Sequence, residues 1–170
     1  MTDSLTRTFR FSVSLRRSGQ AQLGGGGRAG LSQSGDALGD GGFQECSGLD
    51  LTMDIQEINE GGRNDGVIQR VGRAKYSPII LKRGMFYGDN GSVNSDLWSW
   101  IQNIVMGVRP VARYDGVIEV KGYEDEVVAT WVFEHGLPSK IAGPQLNAKS
   151  GDIAIEELTI AHQGLRLAAT

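Results

Sequence analysis

Apolar and polar residues alternate along Thr8–Arg16, with Phe9, Phe11, Val13 and Leu15 on one parity and Arg10, Ser12, Ser14 and Arg16 on the other. A two-residue period puts one face in a core and the other in water, which predicts a half-buried β-strand. Leu49–Ile58 repeats the pattern: Leu49, Leu51, Met53 and Ile55 oppose Asp50, Thr52, Asp54 and Gln56. Glu60-Gly61-Gly62 and Asn64-Asp65-Gly66 then read as turns, because glycine accepts positive φ without a steric cost. Ser77–Gly84 reads as a short buried strand ending in Lys82-Arg83. Val117–Gly122 and Glu126–Gly136 flank the polar turn Tyr123-Glu124-Asp125, a hairpin pattern. Prolines in GLPSK and AGPQ mark connections, and DIAIEELTIA, Asp152–Ala161, predicts the last strand.

The period changes once. In Asn94–Gly107 the apolar residues Leu97, Trp98, Ile101, Ile104 and Val105 recur at helical spacing. Asn94 or Ser95 supplies an N-cap, Asp96 suits the positive end of the helix dipole, and Gly107 suits a left-handed C-terminal cap. On this face assignment Trp100 lies about 200° from Trp98 and either points out of the subunit, where aromatic residues mark interfaces, or packs under a neighbouring loop. Six or seven strands and one helix predict a mainly β fold: an antiparallel β-barrel or sandwich with one flanking α-helix.

Composition adds bounds. The 170 residues fit one domain spanning 1–170. Inside it, Ser18–Gly42 has ten glycines in 25 residues and almost nothing to bury, so a flexible insert is expected. Lysine and arginine number 17 against 20 acidic residues, a net charge of −3, which gives no support to non-specific nucleic-acid binding. One cysteine and two histidines make neither a disulfide nor a zinc site. The N-terminus has no apolar signal core and no run has the length of a membrane span, so synthesis and folding in the cytoplasm are expected.

Candidate chemistry is sparse. Gly24–Gly27 lacks the Lys-Ser/Thr ending of a phosphate-binding loop. Consecutive strand residues point to opposite faces, so Glu156 and Glu157 cannot serve one site, and His162 lies roughly 20 Å from Glu156 at strand rise. No catalytic, cofactor-binding or metal-ligating set emerges, and an enzyme is not expected. Both faces of the last strand are partly apolar, however: Ile153 and Ile155 on one side, Ala154, Leu158 and Ile160 on the other. A strand whose outer face meets another subunit has that character.

Six segments in order resemble the tail-tube protein family of contractile phage tails and of extracellular contractile injection systems. They are FQECSGLDL (Phe43–Leu51), EGG (Glu60–Gly62), IILKRG (Ile79–Gly84), DLWSWI (Asp96–Ile101), ATWVFEHGLPSK (Ala129–Lys140) and GPQLNAKSGDIAIEELTIAHQGL (Gly143–Leu165). The resemblance implies a structural subunit with the barrel-plus-helix architecture of the type VI secretion tube, forming hexameric rings that stack into a hollow tube driven by sheath contraction. It implies no cofactor. The implied partners are further copies of the chain, a sheath protein, baseplate or tube-adapter proteins, and cargo in the lumen, within a phage-tail-like particle or virion.

Subunit contacts are then expected at Glu60, Lys82, Arg83, Trp100, Glu156, Leu158, Ile160 and His162, with Glu156 and His162 as interface or channel-lining groups. Asp in place of Leu158 or Ile160 is expected to abolish rings. The glycine-rich insert departs from the family pattern and leaves a tube-initiating adapter between baseplate and tube as an alternative. A monomeric β-barrel binding module is the alternative of another class, and oligomeric state separates it from the other two.

Overall fold

Alternation at the start of the chain becomes strand β1, Phe11–Arg17, with Val13 and Leu15 buried and Ser12 and Arg16 exposed. This computed structural model describes residues 10–19, 37–38, 42–59, 61–62, 66–85, 93–149 and 151–168. The remaining elements are β2 (Ala37–Leu38), β3 (Glu45–Ser47), β4 (Leu51–Ile58), β5 (Ile68–Tyr76), β6 (Ile79–Gly84), helix α1 (Asp96–Val105), β7 (Tyr114–Lys121), β8 (Val127–Ala142), β9 (Ile155–Ala161) and β10 (Gly164–Ala168). The fold is mainly β, with one helix among the described residues. Residues 20–36 and 39–41 of the expected glycine-rich insert lie outside the described residues. Its β2 pairs with β1, and Leu38 is buried in the core, so the insert is not wholly without apolar anchorage.

The main antiparallel sheet runs β2-β1-β7-β8-β9-β6-β3, and β10 adds to β8. The 16-residue β8 organises it. Val127–Gly136 pairs with β7, Thr130–Glu134 also pairs with β10, and Leu137–Ala142 pairs with β9. Pro138 therefore lies inside a strand and not in a connection. It occurs where the register to β9 shifts between Pro138 and Lys140, so its missing N–H falls at an irregularity of the ladder. β10 also follows the strand expected to be last.

The core comprises Val13, Leu15, Leu38, Phe43, Ile79, Leu81, Leu97, Trp100, Ile118, Phe133, Leu158 and Ile160. Phe133 lies at its centre, over Gly116. A Cβ at Gly116 would come within 2.0 Å of the Phe133 ring, so the strand approaches the ring only because that residue is glycine. Leu158 and Ile160 face inward opposite Leu81 and Ile79. They belong to the subunit's own core and not to an exposed contact, and Asp at either position would unfold the subunit before any ring could be scored.

Helix α1 packs on β8 and buries Leu97 and Trp100 in the core, with Ile104 against them. Asn94 Oδ1 accepts the Asp96 N–H at 3.0 Å, and Gly107 ends the helix at φ +83°. The inward face differs from the expected one by a rotation. Trp100 is 3% exposed, donates Nε1–H to the Ala112 carbonyl at 2.9 Å and meets Tyr114 edge-on at 4.7 Å. Val105, assigned inward by spacing, is exposed. Six of the ten helical residues are apolar, so spacing alone admits two faces and packing against the sheet selects between them.

Two stability outcomes follow. Leu158→Ala should cost about 2–5 kcal/mol through the cavity it leaves. Gly116→Ala should cost about 1–3 kcal/mol by overpacking against Phe133. Urea denaturation followed by circular dichroism checks both.

Candidate functional site

β4 and β5 form a two-stranded ribbon that pairs with no other described strand. Its register puts Leu51 opposite Tyr76, Met53 opposite Ala74 and Ile55 opposite Val71. These six side chains share one face, because directly opposed residues in an antiparallel pair point the same way. Thr52, Asp54, Gln56, Arg70 and Lys75 fall on the other face, where Lys75 and Asp54 form an ion pair at 2.9 Å. The apolar face is bare: Leu51 is 55% exposed, Met53 48%, Ile55 54% and Val71 70%. A two-stranded ribbon is marginal alone in water, and a contiguous exposed apolar strip of this kind marks an interaction surface.

One irregularity makes this face continuous. Gly72 and Arg73 of β5 oppose Asp54 alone, a bulge between Met53 and Ile55. The extra residue brings Val71 and Ala74, of opposite parity in sequence, onto one side. It also hides β5 from a reading of alternation, since Ile68–Tyr76 shows no clean two-residue period. Of the strand expected at 49–58, Leu49 packs against the core, but Leu51, Met53 and Ile55 face solvent. The turn glycines Gly61 and Gly62 lie at its tip, and Glu60, expected at a contact, lies outside the described residues.

The expected contact residues divide differently. Arg83 and Glu156 are opposed in the β6–β9 register and form an ion pair inside the subunit, 2% and 1% exposed. Arg83 Nε–H donates to Glu156 Oε1, and Trp98 Nε1–H donates to Glu156 Oε2 at 3.0 Å. Arg83 Nη2 lies 3.5 Å from Asn94 Oδ1, the atom that accepts the first N–H of α1. Neither residue lines a surface or channel of the isolated subunit, and every carboxylate oxygen of Glu156 is engaged. The group is a lock between sheet and helix N-terminus, not an acid–base site. Trp98 links the helix to Glu156, while Trp100 donates to the Ala112 carbonyl.

Outside this lock, Lys82 pairs with Glu45 at 2.9 Å, and the hydrogen bond and charge of Glu45 raise the Lys82 pKa. Glu157 faces outward with Lys140 at 3.4 Å, so the two consecutive glutamates do point to opposite faces. Burial pushes the Cys46 thiol up to about 11, which keeps it protonated and unreactive. His162 is half-buried between the rings of Tyr76 and Phe133. Among the described residues no cluster of His, Cys, Asp or Glu has metal-binding geometry, and no helix is long and apolar enough to cross a membrane.

Comparison with known proteins adds three findings. Residues 7–166 match the family model described as T4-like virus tail tube protein gp19. Cryo-EM structures with the same fold include a chain of the anti-feeding prophage baseplate, six-fold symmetrised, at 20% identity and TM-score 0.76, covering 98% of this chain and 97% of that one. They also include a chain of the sheath–tube complex of the PVC extracellular contractile injection system in its extended state, at 23% identity and TM-score 0.74, covering 98% and 93%. A chain of the PVC sheath/tube terminator aligns at 22% identity and TM-score 0.73, covering 99% and 100%. No curated protein matches the sequence.

Truncating one partner of the lock should be costly. Glu156→Leu alone strands the Arg83 charge and should lose about 3–5 kcal/mol, whereas Arg83→Met with Glu156→Leu should recover most of that loss. Guanidinium denaturation of the single and double variants measures it.

Proposed function

The chain belongs to the T4-like virus tail tube protein family and is a tube structural subunit, and from that premise we propose that its copies close into six-membered rings stacked into a hollow tube. The observation that carries this reading is the bare apolar face of the β4–β5 ribbon, Leu51, Met53, Ile55, Val71, Ala74 and Tyr76. A surface that is complementary to a different patch on an identical chain makes a heterologous contact. Such contacts build rings when the rotation closes and continue as filaments when it does not. The ribbon lies apart from the subunit core, so it is suited to reach a neighbouring copy while the lock and core keep each subunit rigid.

In this reading the role is mechanical and passive. A sheath surrounds the tube, a baseplate starts it, and cargo travels in the lumen, within a phage-tail-like particle or virion assembled after cytoplasmic synthesis. The glycine-rich stretch Ser18–Gly42 supports a second reading, an adapter at one end of the tube, because a segment of that composition can order against a non-identical partner.

Negative-stain electron microscopy of the purified chain over a range of concentrations tests both. Rings stacking into tubes are expected. Rings that never stack would favour the adapter, and monomers at every concentration would count against assembly. Ile55→Asp and Val71→Asp should abolish ordered assembly while changing subunit stability by only about 0.5 kcal/mol, as exposed substitutions do. Tubes of normal length from both variants would remove the ribbon from the contact.

A further inference from the structure

The ribbon leaves the body at a junction built on His162. β6 and β9 pair with Ile79 opposite Ile160, and the same register places Ser77 opposite His162. The backbone ladder ends at the Ile79–Ile160 pair, and the Ser77 N–H turns away from β9. The His162 side chain takes over: Nε2 lies 2.9 Å from the Ser77 carbonyl oxygen, and Nδ1 lies 3.0 Å from the Gly164 carbonyl oxygen at the start of β10. Its ring is 5.4 Å from Tyr76, the last residue of β5 on the apolar face, and 5.6 Å from Phe133 at the core's centre. The other side of the junction is closed by the Ser77 N–H donating to the Asp50 carbonyl at 3.3 Å. Gly48, at φ +87°, packs so close that a Cβ there would lie 2.0 Å from the Pro78 carbonyl oxygen.

We infer that His162 is a positioning residue for assembly: it fixes the direction in which the β4–β5 ribbon projects from the body, and so the placement of the ribbon's apolar face on the next copy. Three facts support this. The residue touches the ribbon's exit, the β9–β10 turn and the core ring at once. Its ring nitrogens face backbone carbonyls, to one of which a neutral imidazole donates, so it holds a chain path and not another side chain. No other described strand pairs with the ribbon, so its angle depends on how its ends join the body. This inference rests on the ribbon being the contact proposed above.

The test uses two variants of the full chain. His162→Phe keeps the ring between Tyr76 and Phe133 and removes both ring nitrogens. His162→Gln restores an N–H within reach of the Ser77 carbonyl. Hydrogen exchange of the unassembled subunit is read separately for the ribbon amides and for the β6–β9 ladder, and assembly is scored by electron microscopy. His162→Phe should speed exchange in Leu51–Tyr76 and reduce tube yield on the order of tenfold, the equilibrium factor of a hydrogen bond worth about 1.4 kcal/mol. The β6–β9 ladder should stay protected, and His162→Gln should restore most of both effects. Unchanged ribbon exchange in His162→Phe, or equal loosening of the β6–β9 ladder, would overturn the inference and leave His162 a packing residue. If the wild-type chain forms no tubes, the assembly reading falls, and the exchange measurement still decides whether His162 holds the ribbon.

Discussion

The pairing of β6 with β9 is the constraint on which the rest of the subunit depends. Its inward positions pass in order from Ile79–Ile160 through Leu81–Leu158 to Arg83–Glu156. Two pairs of that series build the apolar core, and the third places two opposite charges in the same interior. Charges buried there are tolerable only with complete hydrogen bonding. Trp98 in the first turn of α1 and Asn94 just before the helix supply it. The requirement to satisfy Glu156 and Arg83 therefore fixes where the helix begins. At its opposite end the ladder runs out at Pro78, and the imidazole of His162 continues the connection to the ribbon.

The subunit thus has two parts of unlike character. The sheet and helix build the buried core between them. The ribbon does the reverse: Asp54–Lys75 and its polar neighbours cover one face, while Leu51, Met53, Ile55 and Val71 are left in water. Burial of such side chains is worth about 1.5–3 kcal/mol each when complete. That free energy is not gained in the isolated chain and is available to an association between copies.

Several elements were legible because their local pattern and their burial agree. β1 alternates cleanly, the β7–β8 hairpin is marked by its polar turn, and α1 carries its own start and stop signals. β5 was not legible, since its bulge shifts the parity of Val71 against Ala74. β10 is only five residues long, and Pro138 reads as a breaker although β8 absorbs it at an irregularity. The contact residues were the least legible. Arg83, Trp100, Glu156, Leu158 and Ile160 were expected at a surface, and all five are buried within the subunit. The β4 face expected to be core is the one left exposed.

The sequence by itself determined the class of fold, because side-chain periodicity is local and survives any arrangement of the strands. It also carried the order of segments on which the family resemblance rests. It could not determine which apolar face is inside. Alternation states that a strand has two unlike faces, and a run of apolar residues on a helix states that one side will be covered, but neither names the covering partner. That choice belongs to tertiary structure: it comes from β8 reaching β7, β9 and β10, from the helix rotating Trp100 inward so that Trp98 meets Glu156, and from a ribbon that pairs with no other described strand.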